Sequence, residues 1–381
     1  MFIDTGWSSL PKFGEELCGD NVEIAKTSDS VVAVLADGLG SGVKANILSK
    51  MTAKIIVTML EKGASLEEVV DTVGNTLPVC QKRLLAYSTF TIIQAKEGGE
   101  IYIVEFDNPA TFYIHNGQVA GVDFKQREIF GKKVKESRFQ ADPGDALVAV
   151  SDGIIHAGIG GILNLGWQWI NVADYLQGMA KPVLNAKSLS QQLLTVSEKL
   201  YAGKPGDDAT VMVFQIRNPQ TVTVAVGPPK LKDDDAVLMQ KLREENGKKV
   251  ICGGTTGTIV AKFLQHKITV DIGNMDPEIP PTGYLPGVDL VTEGIITLSK
   301  TLEYLKTVHF PEEIPPKQNG ATSLTKLLLE GDQIRFLVGR AINPAHQNPD
   351  LPLSLGLKLQ VVSEITNILT NLGKKVTVEY F

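Results

Sequence analysis

Residues Ser30–Gly42, SVVAVLADGLGSG, are the most informative about the fold of the first half of the chain. The run Val31–Ala36 is apolar throughout, which is typical of a short strand buried on both faces. Asp37 follows the run directly, so its carboxylate should leave the core at a fixed point. Three glycines lie between Asp37 and the next predicted helix. A turn alone needs one glycine, whereas three favour a close approach of the backbone before the helix begins. These three are Gly38, Gly40 and Gly42.

The segments after this stretch predict a layered α+β domain. Helices are predicted over 43–62 and 65–77, and Ser65 with Glu68 forms a capping box at the start of the second. Strands are predicted over 88–95, 100–106, 111–114, 118–122, 146–150 and 210–216, and Asn116-Gly117 is a hairpin turn. Helices are expected over 172–179 and 188–201. Antiparallel strands interrupted by helix pairs predict an α+β layered sandwich.

The composition changes after residue 216. The breaker cluster Gly227-Pro-Pro229 and the charged segments near it predict a linker with a short polar helix over 217–245. Beyond it, helices and strands alternate, which predicts a smaller α/β domain with a mixed or parallel sheet over 246–381. At roughly 150 residues per domain, the length agrees with this domain and one over 1–216.

Composition and charge exclude several classes of protein. The net charge is −6 and the pI is near 5.5, which argues against nucleic-acid binding, because that needs a basic surface. No apolar run is long enough to predict a membrane span, and residues 1–10 do not resemble a secretory signal. The cysteines are odd in number and widely spaced, so we expect free thiols and a cytoplasmic protein. They are Cys18, Cys80 and Cys252.

Four acidic motifs lie in the first half, each at the end of a predicted strand. Asp-Gly is a common turn dipeptide, so each motif alone indicates a turn. Together they indicate a carboxylate cluster, which would repel itself unless a divalent cation compensates it. Oxygen ligands of this kind suit Mg²⁺ or Mn²⁺. The motifs are Gly19-Asp20-Asn21, Ala36-Asp37-Gly38, Ser151-Asp152-Gly153 and Gly206-Asp207-Asp208.

The order GDN, ADGLGSG before a helix pair, SDG, and GDDAT before a last strand resembles the metal-dependent serine/threonine protein phosphatases (PPM), and more closely their bacterial SpoIIE-type branch. The resemblance covers residues 10–216. It implies an α-β-β-α sandwich and two Mn²⁺ or Mg²⁺ ions that activate a water molecule to hydrolyse phosphoserine or phosphothreonine directly.

The resemblance also implies roles for individual residues. Asp37 would bridge the two ions and take part in catalysis with Asp152 and Asp207, which would bind the second ion. The carbonyl of Gly38 would bind the first ion, with Asp20 in support. Asp208 would instead hold a nearby loop.

Two departures from the broader family leave the general acid unassigned. Leu39 stands where many members have a histidine, and no arginine precedes Asp20. His156, four residues after Asp152, could face the site if the chain is helical there, but a solvated histidine is the commoner case.

The second domain contains a separate candidate site. Glycines and threonines between a predicted strand and helix would form an anion site, joined by polar groups after a neighbouring strand. The alternative is that they form turns and caps. The candidates are Gly253, Gly254, Thr255, Thr256, Asp289, Thr292 and Glu293.

The function predicted first is a metal-dependent protein phosphatase, regulated by the second domain, that acts on a phosphorylated regulatory protein such as an anti-sigma-antagonist-like one. The alternative is a catalytically weak scaffold whose second domain senses a small anionic ligand. A nucleotide-binding enzyme is the third hypothesis, weakened because there is no phosphate-loop lysine. The sequence leaves oligomerisation open.

Overall fold

The computed structural model describes the chain except for residues 28–29, 77–78, 81–84, 87, 130–131, 180–184, 271–275 and 342–352. The chain divides into two compact units, Met1–Asn218 and Pro219–Phe381. In the described ranges, no helix combines the length and apolarity needed to cross a membrane.

Within the described residues, the first unit is built from two large sheets, a two-stranded sheet of β4 and β5, and five helices. Its elements are β1 (Phe2–Leu10), β2 (Asp20–Lys26), β3 (Ser30–Gly38), α1 (Gly42–Glu61), α2 (Leu66–Thr76), β4 (Val79–Cys80), β5 (Leu85–Ala86), β6 (Ser88–Lys96), β7 (Glu100–Phe106), β8 (Phe112–His115), β9 (Gln118–Ala120), β10 (Lys125–Ile129), β11 (Lys132–Gln140), β12 (Ala146–Val150), α3 (Asp152–Ile155), α4 (Trp169–Met179), α5 (Ala186–Leu200) and β13 (Ala209–Arg217).

The two sheets pack face to face and carry helices on their outer faces. One sheet has the order β1-β13-β12-β8-β9 and the other β10-β11-β7-β6-β3-β2. A core that includes Leu35, Ile103 and Phe214 fills the space between them. Helices α1 and α2 cover the second sheet, and α4 and α5 cover the first. This is the predicted α-β-β-α sandwich.

Several local predictions in this unit are confirmed. The backbone N–H of Ser65 donates to Glu68 and the N–H of Glu68 donates to the Ser65 hydroxyl, which is the predicted capping box. The hairpin joins β8 to β9. Residue 77, the predicted end of the second helix, and the side chain of Cys80 lie outside the described residues.

Strands β1, β2, β10 and β11 were not predicted from the sequence. Strand β1 contains a glycine and four polar residues, and β11 carries several charged side chains. Such strands lack a clear apolar run or strict alternation, and β10 and β2 lie at the edges of their sheet, where polar side chains are tolerated.

The second unit is an α/β domain. Its elements are β14 (Thr221–Val226), α6 (Asp234–Glu244), β15 (Lys248–Cys252), α7 (Gly254–Leu264), β16 (Thr269–Val270), β17 (Gly283–Leu285), β18 (Val288–Thr292), α8 (Ile295–Leu305), a 3₁₀ turn (Pro311–Glu313), α9 (Gly320–Glu330), β19 (Gln333–Val338), α10 (Leu353–Asn371) and β20 (Lys375–Tyr380).

Its sheet is mixed, as predicted. Strands β18-β15-β14-β19-β20 are parallel, and β16 and β17 extend one edge in antiparallel fashion. In chain order the parallel strands read 3-2-1-4-5, a doubly wound arrangement. Helices α6 and α7 cover one face, and α8, α9 and α10 cover the other.

The linker predicted over 217–245 differs from the structure. The run Thr221–Val226 is β14, which lies between β15 and β19 in the sheet. Helix α6 buries Leu238, Met239 and Leu242 in the core of the second unit. The apolar strand β14 ends directly before the breaker cluster at 227–229, which made the whole segment resemble a linker. The charged residues of α6 lie on the face of the helix away from the core.

The contact between α5 and β1 gives a test of the sandwich. A Cβ on Gly6 would lie 2.3 Å from the backbone nitrogen of Lys187, so Gly6→Ala should destabilise the first unit by about 1–3 kcal/mol through overpacking. Urea unfolding followed by circular dichroism measures this. Gly121→Ala, where a Cβ meets nothing within 4 Å, should change stability by less than about 0.5 kcal/mol. Equal effects of the two substitutions would contradict the packing.

Candidate metal centre

Asp20 and Asp37 are brought together by strand pairing. Strands β2 and β3 are antiparallel, and in their register Asp20 lies opposite Asp37. Asp20 therefore begins a strand, and Asp37 lies at the end of the next; only the second position agrees with the sequence prediction. Antiparallel pairing explains the difference, because the start of one strand then lies beside the end of its neighbour.

Asp152 and Asp207 come from the other sheet. Asp152 begins α3 directly after β12, and Asp207 lies two residues before β13. These two strands are antiparallel neighbours, and the backbone N–H of Ser151 donates to the carbonyl of Thr210 at 3.0 Å. The same edge of this sheet therefore carries both side chains.

The four carboxylates form one electrostatic cluster. Burial, followed by the negative charges of Asp20, Asp152 and Asp207, raises the pKa of Asp37 to about 9. Burial also raises the pKa of Asp20 to about 7; the nearby hydroxyls of Ser151 and Thr210 offset only part of this effect, and neither meets the geometry of a hydrogen bond to Asp20. The pKa of Asp152 is raised for the same reasons, burial first and Asp207 second. The protein itself therefore does not fully compensate the negative charge of these carboxylates.

The unpartnered oxygens fit a divalent cation. Asp20 is 3% exposed, yet neither of its carboxylate oxygens has a hydrogen-bond partner among the described residues. A buried ionised carboxylate without a partner is unfavourable, and hard cations such as Mn²⁺ and Mg²⁺ take such oxygens as ligands. Within the described residues, no three of these aspartates bring oxygens within 4.8 Å of one another, so the cluster is more open than a closed cage for one ion.

Two glycines allow the backbone to approach at the cluster. A Cβ on Gly38 would lie 2.1 Å from the carbonyl oxygen of Ala45 in α1, and a Cβ on Gly153 would lie 2.0 Å from the carbonyl oxygen of Asp208. Neither position can therefore hold a side chain without movement of the backbone. The glycine of each Asp-Gly pair is explained by packing at the site.

Four further residues position the cluster. The hydroxyl of Ser88 donates to the carbonyl of Asp37 at 2.9 Å, and the hydroxyl of Tyr201 donates to the carbonyl of Gly153 at 2.7 Å. The backbone N–H of Lys12 donates to Asp208 Oδ1 at 3.0 Å. The loop contact of Asp208 was expected from the family resemblance. The roles of Ser88 and Tyr201 were not, because no local pattern marks a hydroxyl that donates to a distant carbonyl.

His156 and His115 lie in different surroundings. The exposed His156 has its Nδ1 atom 3.9 Å from Asp152 Oδ2, so it borders the cluster. His115, Asp142 and Asp145 place potential ligand atoms within 4.8 Å of one another. However, Asp145 already contacts the side chains of Tyr113 and His115, so this group is hydrogen-bonded within itself.

In the second unit, five of the seven candidate residues line one cavity: Gly253, Gly254, Thr255, Thr256 and Glu293. The other two do not. Thr292 is buried, and its carbonyl accepts the N–H of Gly253.

Asp289 does not belong to this cavity. It lies at the start of β18, where it accepts hydrogen bonds from the Lys248 ammonium and the Lys249 N–H, each at 2.8 Å. Each residue adds ~3.3 Å to the length of a strand, so β18 separates Asp289 from the cavity residues that follow its other end.

Most of the first unit also matches known proteins, in a region that contains Asp37, Asp152 and Asp207 but begins after Asp20. The family model described as Stage II sporulation protein E (SpoIIE) covers residues 27–217, half of the chain. Among solved structures, the PP2C phosphatase domain of SpoIIE from Bacillus subtilis with a fragment of its regulatory domain has 21% identity and a TM-score of 0.49; the match covers 57% of this chain and 62% of that one.

Two other structures are similar at the same level. The RsbU and RsbW domains of a Mycobacterium tuberculosis protein have 19% identity and a TM-score of 0.47, with 64% of this chain and 67% of that one covered. RsbX in complex with magnesium has 20% identity and a TM-score of 0.39, with coverages of 56% and 94%. No curated protein matches the chain.

The raised pKa values predict how the metal-free protein responds to pH. An unfolded Asp has a pKa near 3.9, whereas the folded values of Asp20 and Asp37 are about 7 and about 9. The folded state therefore holds protons that the unfolded chain releases, so its stability falls as pH rises through this window. In EDTA, thermal unfolding should occur at least ~2–4 °C higher at pH 6 than at pH 9.

Asp37→Asn should remove much of this pH dependence and raise the melting temperature at pH 9. The exposed Asp123 is a matched control, and Asp123→Asn should keep the dependence of the wild type. A flat profile in the wild type would contradict the carboxylate cluster.

Metal binding should appear as thermal stabilisation. At about 100 times its dissociation constant, Mn²⁺ should stabilise the wild type by about 2.7 kcal/mol, a rise of ~5–10 °C in melting temperature. Asp20→Asn and Asp37→Asn should abolish the rise, and Asp123→Asn should keep it. Stabilisation that survives both substitutions would show that the cation binds elsewhere.

Proposed function

The chain belongs to the SpoIIE family, the bacterial branch of the metal-dependent serine/threonine protein phosphatases, and we propose that its first unit hydrolyses phosphoserine or phosphothreonine on a regulatory protein. The cofactor is Mn²⁺ or Mg²⁺, and two ions are proposed. The residues proposed to hold them are Asp20, Asp37, the carbonyl of Gly38, Asp152 and Asp207.

One observation supports this proposal most directly. Asp20 is almost fully buried, both its oxygens lack a hydrogen-bond partner in the described part of the chain, and its neighbours are further carboxylates. A structural role alone does not account for such a group, because burial of an unpaired charge is strongly unfavourable. A bound cation would remove this cost and would supply positive charge for the phosphoryl group.

When bound, the two ions would supply an activated water molecule and stabilise negative charge on the phosphoryl oxygens. The chain's own residues would fix where this happens. Asp37 and Asp20 are held by the pairing of β2 and β3, and Asp152 begins α3 where the next peptide carbonyl is fixed by Tyr201. Rigid placement of this kind is what electrostatic catalysis requires, since reorganisation during reaction is then small.

Partner, regulation and location complete the proposal. The partner is a phosphorylated regulatory protein of the anti-sigma-antagonist type, as expected for the family. The second unit regulates the phosphatase; its separate core and its cavity support such a role. A cytoplasmic location is supported by the free thiols of Cys18 and Cys252.

If the second unit regulates the phosphatase, substitutions in its cavity should change the phosphatase rate while Mn²⁺ binding stays unchanged.

The proposed activity is tested with a phosphoserine peptide and p-nitrophenyl phosphate in Mn²⁺. Loss of a carboxylate that would hold the ions should cost several kcal/mol of transition-state stabilisation, so Asp37→Asn should lower kcat/KM at least about a hundredfold. EDTA should abolish hydrolysis by the wild type. A phosphotyrosine peptide should be a poorer substrate than the phosphoserine peptide.

Asp123→Asn controls for a general effect of losing one negative charge and should keep full activity. Hydrolysis that persists in EDTA, or full activity of Asp37→Asn, would contradict the proposal. A metal-binding wild type without hydrolysis of either substrate would favour the scaffold hypothesis.

A further inference from the structure

The cavity of the second unit lies where open parallel sheets bind ligands. Its lining includes residues that follow β14, β15, β18 and β19, all at the carboxyl ends of parallel strands. The strand order 3-2-1-4-5 reverses direction between β14 and β19, and crevices form at such switch points. This position is independent of the metal centre and of the proposed phosphatase activity.

Two helices begin at the cavity. Helices α7 and α8 each have 11 residues, and the glycines that precede them, Gly253 and Gly294, line the cavity. The first N–H groups of a helix have no partner within it and carry partial positive charge. Gly253 has φ of 129°, a conformation open to glycine, so the chain can turn sharply into α7.

A cation adds to this positive potential. Lys358 of α10 lines the cavity and is half-buried, and its ammonium donates to the carbonyl of Gly339 at 2.5 Å. Burial lowers the pKa of Lys358, which means that the charged form would gain from an anion beside it. The ammonium has further donors beyond the one bond to Gly339.

The hydroxyl of Thr256 is evidence for a ligand that is independent of the two helix ends. Its side chain is fully buried and lines the cavity, yet its hydroxyl has no hydrogen-bond partner within the described residues. Buried hydroxyls normally have a partner. A ligand in the cavity would provide it.

Glu293 restricts what the ligand can be. Its Oε2 atom is buried and unpartnered in the described structure, and the residue lines the same cavity. A carboxylate accepts hydrogen bonds and repels an anion. The ligand should therefore present a hydrogen-bond donor to Glu293 and its negative charge to the helix N-termini and Lys358.

The volume limits the part of the ligand that is buried. The cavity measures about 120 Å³, well below the ~300–1,000 Å³ of pockets that enclose a whole drug-sized molecule. It can hold a phosphoryl group and a neighbouring hydroxyl but not a dinucleotide.

We propose that this cavity binds a small phosphate monoester, with the phosphoryl group at the starts of α7 and α8 beside Thr256 and Lys358, and with an adjacent hydroxyl donating to Glu293. The second unit is then a sensor of a phosphorylated metabolite.

The test is calorimetric titration of the full chain in EDTA with glycerol 3-phosphate, inorganic phosphate and glycerol. Without metal, the carboxylates of the first unit repel anions, so binding reports on the second unit. Glycerol 3-phosphate should bind about tenfold more tightly than inorganic phosphate, and glycerol should not bind. No binding of either phosphate compound, or equal binding of glycerol, would overturn the proposal.

Substitutions assign the binding to this cavity. Thr256→Val and Lys358→Met should each weaken glycerol 3-phosphate at least about tenfold, the effect of losing one hydrogen bond to a charged group. Thr256→Ser keeps the hydroxyl and should bind glycerol 3-phosphate as tightly as the wild type does. This control distinguishes loss of the hydroxyl from misfolding. The matched controls Thr258→Val on α7 and Lys262→Met on its last turn, which do not line the cavity, should bind as the wild type does.

Glu293→Gln separates the hydroxyl contact from the phosphoryl contact. Without the negative charge, inorganic phosphate should bind more tightly, and the preference for glycerol 3-phosphate should fall below about threefold. An unchanged preference would overturn the role of Glu293, and unchanged affinity in Thr256→Val and Lys358→Met would overturn the site. None of these results depends on hydrolysis, so the phosphatase proposal can fail independently.

Discussion

The candidate metal centre of the first unit consists of carboxylates that repel one another at the edge of two packed sheets. Asp20 and Asp37 come from one sheet, and Asp152 and Asp207 from the other. Burial and like charge raise the pKa values of three of these groups. The fold therefore maintains a local electrostatic cost, which is typical of sites whose function needs strained or charged groups.

Strand pairing is what allows the fold to maintain this cost. A one-residue slip between β2 and β3 would turn their side chains to the other face of the sheet, so the buried core fixes the register and with it the position of Asp37. The glycines that follow Asp37 and Asp152 let α1 and the 207–208 segment pack directly against the backbone. Stability of the core and geometry of the site are thus set by the same contacts.

The second unit concentrates polar groups in a different way. Its cavity unites two helix starts, a half-buried lysine and two unpartnered side-chain oxygens at the ends of parallel strands. The first unit gathers negative charge and fits cations, whereas this cavity offers positive potential with one carboxylate. The two units therefore concentrate polar groups of opposite electrostatic character, one at the edge of two packed sheets and the other beyond the carboxyl ends of parallel strands.

Local sequence patterns predict the apolar strand before Asp37, the four acidic motifs, the α+β class and the glycine-rich turn before α7, because each depends on residues close together in the chain. Which polar groups meet depends instead on how the strands and helices assemble. This assembly placed Asp289 at the far end of β18, made Thr221–Val226 a strand inside the sheet rather than a linker, and set Ser88 and Tyr201 on distant carbonyls. These outcomes depend on strand order, register and direction, which bring together residues far apart in the chain and leave no local trace in the sequence.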